Sequence, residues 1–293
     1  MFLANSPFDR LSVAGINFDF IPQGHILDIL QNWRITGKRT YLAVTNPHSV
    51  MLCRRDPDMR HATAHATLTL PDGVGIILAA KLLGYGRRHR CTGPALMLEI
   101  CDRGRELNFR HFFLGGAQGI PEKLAHRLQS RFPGLHVCGT LSPPFRHLSD
   151  DEDNQLVRYI NSTKPDILWI GLGAPKQEIW MANHFGRIHA PVMIGVGAAF
   201  DFHSGNLSWA PGWVRRFGIE WAYRLLREPR RMWRRNLDSP LFLLHVLAQS
   251  LRSRLYSFLH RQPTPQQNPS PNLQLYLPQS RTTHSPRRPV PDP

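Results

Sequence analysis

The sequence is sparing with cysteine. Four stand among 293 residues, and Cys53, Cys91, Cys101 and Cys138 make no Cys-x-x-Cys pair. A disulfide framework or a structural zinc site is therefore not expected, and a reduced cytosolic setting is the simplest inference. No apolar run reaches the roughly 18 residues of a spanning helix, so none is expected. The opening residues MFLANSPFDR lack the basic and then apolar segments of a signal peptide. A complete dinucleotide fingerprint is missing too. Gly171-Leu172-Gly173 and Gly195-Val196-Gly197 begin one, but Lys176 and Phe200 stand where the third glycine belongs. No ribose-binding acid follows at the expected distance, which makes a nicotinamide-dependent oxidoreductase a poor fit. Asp56-Pro57-Asp58 has the letters of an Asp-x-Asp metal motif, but it reads as a polar loop after Cys53-Arg54-Arg55 and is discounted.

Lysine is absent between residues 209 and 261, where eleven arginines face three acidic residues. That stretch carries +8 of the formal net charge of +15. So concentrated a charge suits an acidic partner: anionic lipid, a diphosphate or nucleic acid. A solvated basic helix face is the plainer reading of a charge run alone.

Helical and strand patterns alternate through the first two-thirds. Helices are expected at Gln23 to Trp33, Val74 to Leu83, Pro121 to Phe132 and Asp150 to Ser162. Short apolar strands are expected at Arg39 to Val44, Phe109 to Leu114, Leu135 to Thr140, Ile167 to Gly171 and Val192 to Gly197, with an alternating run at Thr67 to Leu70. Repeats of strand, glycine turn and helix predict an α/β fold: a Rossmann-like, mostly parallel sheet flanked by helices. Ligands bind such sheets beyond the carboxyl ends of the strands. After residue 206 the pattern becomes helical and rich in Arg and Trp, with Ser239-Pro240 a plausible helix start. The organisation expected is a catalytic α/β core over 9–205, an Arg/Trp-rich helical, membrane-binding appendage over 206–261 and a disordered Pro-rich tail over 262–293.

Several polar residues sit at the ends of these strands. Asp72, in Pro71-Asp72-Gly73, can cap a helix or serve as a general base at the sheet edge; the cap is the plainer reading. Gly173 and Gly197 let a backbone approach a phosphate closely, though each alone is more often a tight turn. Gln177 and Glu178 could hydrogen-bond a sugar or base, or form an exposed first helical turn. Asp201, between Phe200 and Phe202, could bind a sugar hydroxyl or act as a cap. The interleaved Arg and Trp from Trp209 to Arg235 suit a membrane interface, single-stranded nucleic acid, or a core helix with a basic outer face.

Taken in order, these segments resemble the WecG/TagA/CpsF glycosyltransferases (glycosyltransferase family 26). The resemblance is carried by Thr45-Asn46, Pro71 to Gly75, Arg90 to Gly93, Gly171 to Trp180 and Gly195 to Phe202. It continues through Ala210-Pro211, Gly218 to Trp221, Arg224-Leu225 and Glu228 to Arg235. It spans roughly Val13 to Gln249 and departs from the family pattern at Thr67, Pro94-Ala95 and Trp209. It implies an inverting, metal-independent hexosyltransferase with no cofactor. The donor would be a UDP-sugar, N-acetylmannosamine or its uronic acid, and the acceptor a polyprenyl-diphosphate-linked saccharide of cell-surface polysaccharide synthesis. The implied catalytic residues are Asp72, as base, and Thr45. The implied substrate-binding residues are Arg90, Gln177, Asp201, Arg224, Arg231 and Arg234, and Asn46, Gly173, Glu178 and Gly197 stand beside them as further candidates. The expected location is cytoplasmic, peripheral on the inner face of the membrane, with an anionic membrane surface as partner and a homo-oligomer left open. The alternatives are transfer of another UDP-hexose in exopolysaccharide assembly, or a basic, non-enzymatic nucleic-acid-binding protein.

Overall fold

A computed structural model describes residues 9–86 and 88–260; the Pro-rich tail lies outside the described residues. Strands β1 (Asp9–Val13) and β2 (Ile16–Phe20) form an antiparallel hairpin. The six strands that follow are β3 (Thr40–Thr45), β4 (Leu68–Pro71), β5 (Arg110–Gly115), β6 (His136–Leu141), β7 (Ile167–Gly171) and β8 (Val192–Gly195). They pair in parallel in the order β4-β3-β8-β7-β5-β6. The expected parallel α/β sheet is therefore present.

Its inner strands are largely apolar because helices cover both faces. Side chains alternate between the two sides. Leu42, Val44, Phe113, Trp169 and Ile194 enter a core shared with the helices Ile26–Ile35, Gly93–Arg103 and Ile120–Arg131. Tyr41, Ala43, Phe112, Leu114, Leu168 and Ile170 face the opposite core, under Asp150–Ser162 and Lys176–Asn183. The register aligns Thr45 with Pro71, Gly115 with Gly171, and Gly195 with both Ala43 and Ile170. The strands thus end nearly level, and the loops after them gather at one edge.

The hairpin was not expected. It protects the exposed edge of β4: Asp19, buried and paired with Arg10 at 3.3 Å, accepts the Thr69 N–H at 2.8 Å. A second difference concerns Asp56-Pro57-Asp58, which is no loop. Asp56 caps the helix Pro57–Ala64, accepting from the Asp58 and Met59 N–H groups.

The chain closes with the helices Gly212–Phe217, Glu220–Arg227 and Pro229–His260. Ser239-Pro240 starts no helix; Pro240 lies inside the last one, whose first turn is set by Pro229. A proline there forfeits a hydrogen bond. The helix continues because Met232, Asp238, Phe242 and Val246, spaced six, four and four residues apart on one face, are all buried against the core. Phe242 and Val246 pack with Val50, Met51, Ile76 and Ala79. One turn further on, Gln249 donates to the Ser12 carbonyl at 2.9 Å and accepts the Ala14 N–H at 2.7 Å.

Candidate active site

The level strand ends floor a cleft of about 890 Å³. Asp72 follows β4 directly, its N–H donating to the Thr45 carbonyl at 2.9 Å. It is not the helix cap that its position first suggests. Gly73, at φ 84°, caps the helix Val74–Leu82, and the Gly73 N–H bonds the Asp72 carboxylate. Gly75 lets that helix pass Pro47, whose Cγ would stand 2.7 Å from a Cβ at this position. Burial pushes the Asp72 carboxyl up to about 7, helped by the negative charge of Glu220 and opposed by Arg90, the Gly73 N–H and Arg224. Arg90 is held by the Arg215 carbonyl at 3.1 Å and lies 3.8 Å from Glu220, which also accepts from the Trp209 indole at 3.3 Å.

The far wall is built from glycine turns. Gly173 has φ 76° and open space where a Cβ would be, and a Cβ on Gly197 would stand 4.0 Å from the Gly173 Cα. Gln177 and Glu178 are not an exposed turn; both are buried. The Gln177 amide donates to Glu178 at 2.8 Å, which leaves the Gln177 Oε1 without a partner beside Gly197. Glu178 stands behind the wall, its carboxyl raised by burial to about 7. Asp201 lines the cleft from the helix Ala199–Ser204 and accepts from the Asn206 amide at 2.9 Å.

Thr45 is fully buried beneath Asp72, its hydroxyl lacking a partner, and does not reach the cleft surface. Asn46 does line the cleft, while its Oδ1 caps the helix Pro47–Arg55 by accepting the Ser49 N–H at 3.0 Å. Arg224 lines the cleft, 5.4 Å from the Phe202 ring centroid and 3.7 Å from Glu228. Arg234 points outward, over Trp233 at 5.2 Å, and the Arg231 side chain lies outside the described part. The neighbour Arg235 takes the cleft-facing place, together with Met232, Asn236 and Ser239. Sequence reading missed Arg235, Glu220 and His48. The first follows only from the phase of the last helix; Glu220 lay within the Gly218 to Trp221 segment with no role of its own, and His48 carried no motif.

Among the described residues no group of three or more His, Cys, Asp or Glu side chains is arranged to hold a metal ion. Asp151-Glu152-Asp153 repeats the Asp-x-Asp letters, but Asp153 is bound to His184 at 2.8 Å and Arg187 at 2.7 Å.

A parallel α/β sheet whose carboxyl edge gathers a carboxylate, arginines and glycine turns has the arrangement of proteins that bind nucleotide-type ligands. The sequence profile of the Glycosyl transferase WecG/TagA/CpsF family matches residues 11–256, and the chain belongs to that family. It is 30% identical over 211 residues to an N-acetylglucosaminyldiphosphoundecaprenol N-acetyl-beta-D-mannosaminyltransferase of Bacillus spizizenii, covering 72% of this chain and 80% of the relative. Relatives of the same name in Bacillus subtilis (28%, 78% of this chain and 88% of the relative) and Staphylococcus aureus (27%, 81% and 92%) align similarly. The chain is accordingly a glycosyltransferase, and the oxidoreductase and non-enzymatic readings fall away.

Proposed function

We propose that this transferase moves N-acetylmannosamine from UDP onto a GlcNAc-diphospho-polyprenol, with Asp72 as the base. The observation that carries the reading is the Asp72 carboxylate, raised to about 7 in a cleft that also presents Arg90 and Arg224. Asp72 takes the proton of the acceptor hydroxyl as that oxygen bonds to the anomeric carbon, and the bond from that carbon to the diphosphate breaks. A positioned base contributes about 10²–10⁴-fold. The leaving UDP gathers negative charge, which Arg224 and Arg235 face from the C-terminal helices in preorganised positions. Gln177 and Asp201 stand where sugar or ribose hydroxyls would bind, and the glycine turns admit the nucleotide backbone.

No helix among the described residues is long and apolar enough to cross a membrane. The last helix instead exposes Leu237, Leu241, Leu244, Leu251 and Leu255 along one side, and Trp213, Phe217 and Trp221 are exposed nearby. An apolar stripe among arginines suits docking on the anionic inner leaflet, where a lipid-linked acceptor resides.

The test is UDP release from a panel of UDP-sugars, with and without a polyprenyl-diphosphate-linked GlcNAc and with a chelator present. Acceptor-dependent release from UDP-N-acetylmannosamine, undiminished by chelator and lost in Asp72→Asn, is expected. Faster release from another UDP-hexose would replace the sugar and keep the reaction class. Full activity of Asp72→Asn would remove the base.

A further inference from the structure

One buried acid has no part in the mechanism above. Asp238 lies on the last helix, only 3% exposed, and reaches across to the helix that follows β3. Its Oδ2 lies 2.5 Å from the His48 Nδ1, and its Oδ1 accepts from Arg55 at 2.5 Å. Burying a carboxylate is costly unless it is paired, and Arg55 already supplies an ion pair. The histidine is therefore more than a neutraliser. It stands in the cleft wall, two residues beyond Asn46, with 20% of its side chain exposed.

The ring's chemistry follows from its partners. Three charged groups face it: Asp238 and Arg235 from the last helix and Arg55 from its own. Burial lowers the imidazole's pKa; the Asp238 hydrogen bond opposes this, and Arg235 and Arg55 reinforce it. His48 is thus neutral near pH 7. Asp238, as a carboxylate, can only accept, so the proton sits on Nδ1 and Nε2 keeps its lone pair. No protein donor meets Nε2 among the described residues.

We infer that His48 contacts substrate in the transfer reaction: its Nε2 accepts a hydrogen bond from a hydroxyl or amide N–H of a bound sugar, and Asp238 is the positioning residue that sets the ring's tautomer and angle. The inference rests on the transferase reading of the same cleft. It also explains why a helix arriving late in the chain inserts a carboxylate here: seating that helix and orienting the histidine are one event.

The discriminating variant is His48→Asn, whose amide nitrogen replaces Nδ1 and keeps the Asp238 bond but offers nothing at Nε2. In the full chain it should keep the wild-type Tm and lose about ten-fold or more in kcat/KM, the value of one hydrogen bond to substrate. Separate KM values for donor and lipid acceptor show which sugar is held, and a rise in either supports the assignment. The pH profile supplies a second readout. Log kcat/KM of the wild type should fall with slope two in acid, as Asp72 and then His48 are protonated, and with slope one in His48→Asn. Asp238→Asn removes the imidazolium's partner, so the His48 limb should move to lower pH. A folded His48→Asn enzyme with wild-type kcat/KM, or an acid slope identical in wild type and variant, overturns the inference. Asp72→Asn, assayed alongside, reports separately on the base: its retained activity would sink that reading and leave the His48 comparison standing.

Discussion

Asp72 carries its charge at an energetic penalty, and that penalty is measurable apart from turnover. Its folded-state value of about 7 exceeds the ordinary 3.8 because burial and Glu220 outweigh Arg90 and Arg224. A carboxyl raised on folding favours the native state fully below the unfolded value. It loses that advantage as the pH rises through the folded one. Asp72→Asn should therefore unfold at a higher temperature than wild type at pH 8, by roughly 1–3 kcal/mol of stability, with the gain vanishing at pH 4. Thermal melts at the two pH values check this, and a destabilised variant at pH 8 would show that the carboxylate is not strained there. At the same scale the sequence was only partly legible. Asp72 was readable as a strand-end carboxylate, but cap and base could not be told apart without seeing Gly73 take the cap. Thr45 and Glu178 sit in the segments that flank the cleft, yet side-chain direction at a strand end or in a first helical turn depends on packing, which turned both inward.

At the scale of elements, the parallel strands were legible because burial on both faces makes the inner ones short apolar runs, and β5, β7 and β8 end in glycine. The hairpin was not, since Arg10 and Asp19 interrupt its pattern to protect an edge that only the folded sheet reveals. The last helix was misread at Pro240 because local propensity places a start there, whereas the buried stripe through Asp238, Phe242 and Val246 carries the helix past it. That phase is what exchanges Arg234 for Arg235 in the cleft. It also makes a prediction about Val246, which is fully buried among hairpin and helix residues and does not line the cleft. Val246→Ala should cost about 1–3 kcal/mol of stability. It should also lower kcat/KM at temperatures well below the melt, because loosening the helix displaces Arg235 from the cleft. Denaturant unfolding beside steady-state kinetics tests both; an unchanged kcat/KM would show that the cleft tolerates a loosened helix.

At the scale of the whole molecule, charge and apolar exposure lie on the same side of the chain's economy. The stretch 209–261 holds +8 of the +15 net charge, and it supplies both Arg224 and Arg235 of the cleft and the exposed leucines of the last helix. One face of that helix is bound to the core and the other is open, so the membrane docking proposed for it is separable from catalysis by substitution. Leu251 and Leu255 are 66% and 59% exposed, one helical turn apart, and neither lines the cleft. Replacing both with Glu removes apolar area and adds two negative charges facing an anionic surface, where each basic residue is otherwise worth about 1 kcal/mol. The double variant should stay folded, lose flotation with vesicles containing anionic phospholipid, and lose turnover on a vesicle-embedded acceptor. It should retain turnover on a short-chain, water-soluble acceptor, since the Asp72 site is untouched. Wild-type binding should weaken with salt, as screening shortens the reach of the arginines. Vesicle binding that survives both salt and the Leu251→Glu/Leu255→Glu pair would place the docking surface elsewhere on the molecule. Loss of activity on the soluble acceptor as well would mean that the open face of the helix also helps to hold the cleft.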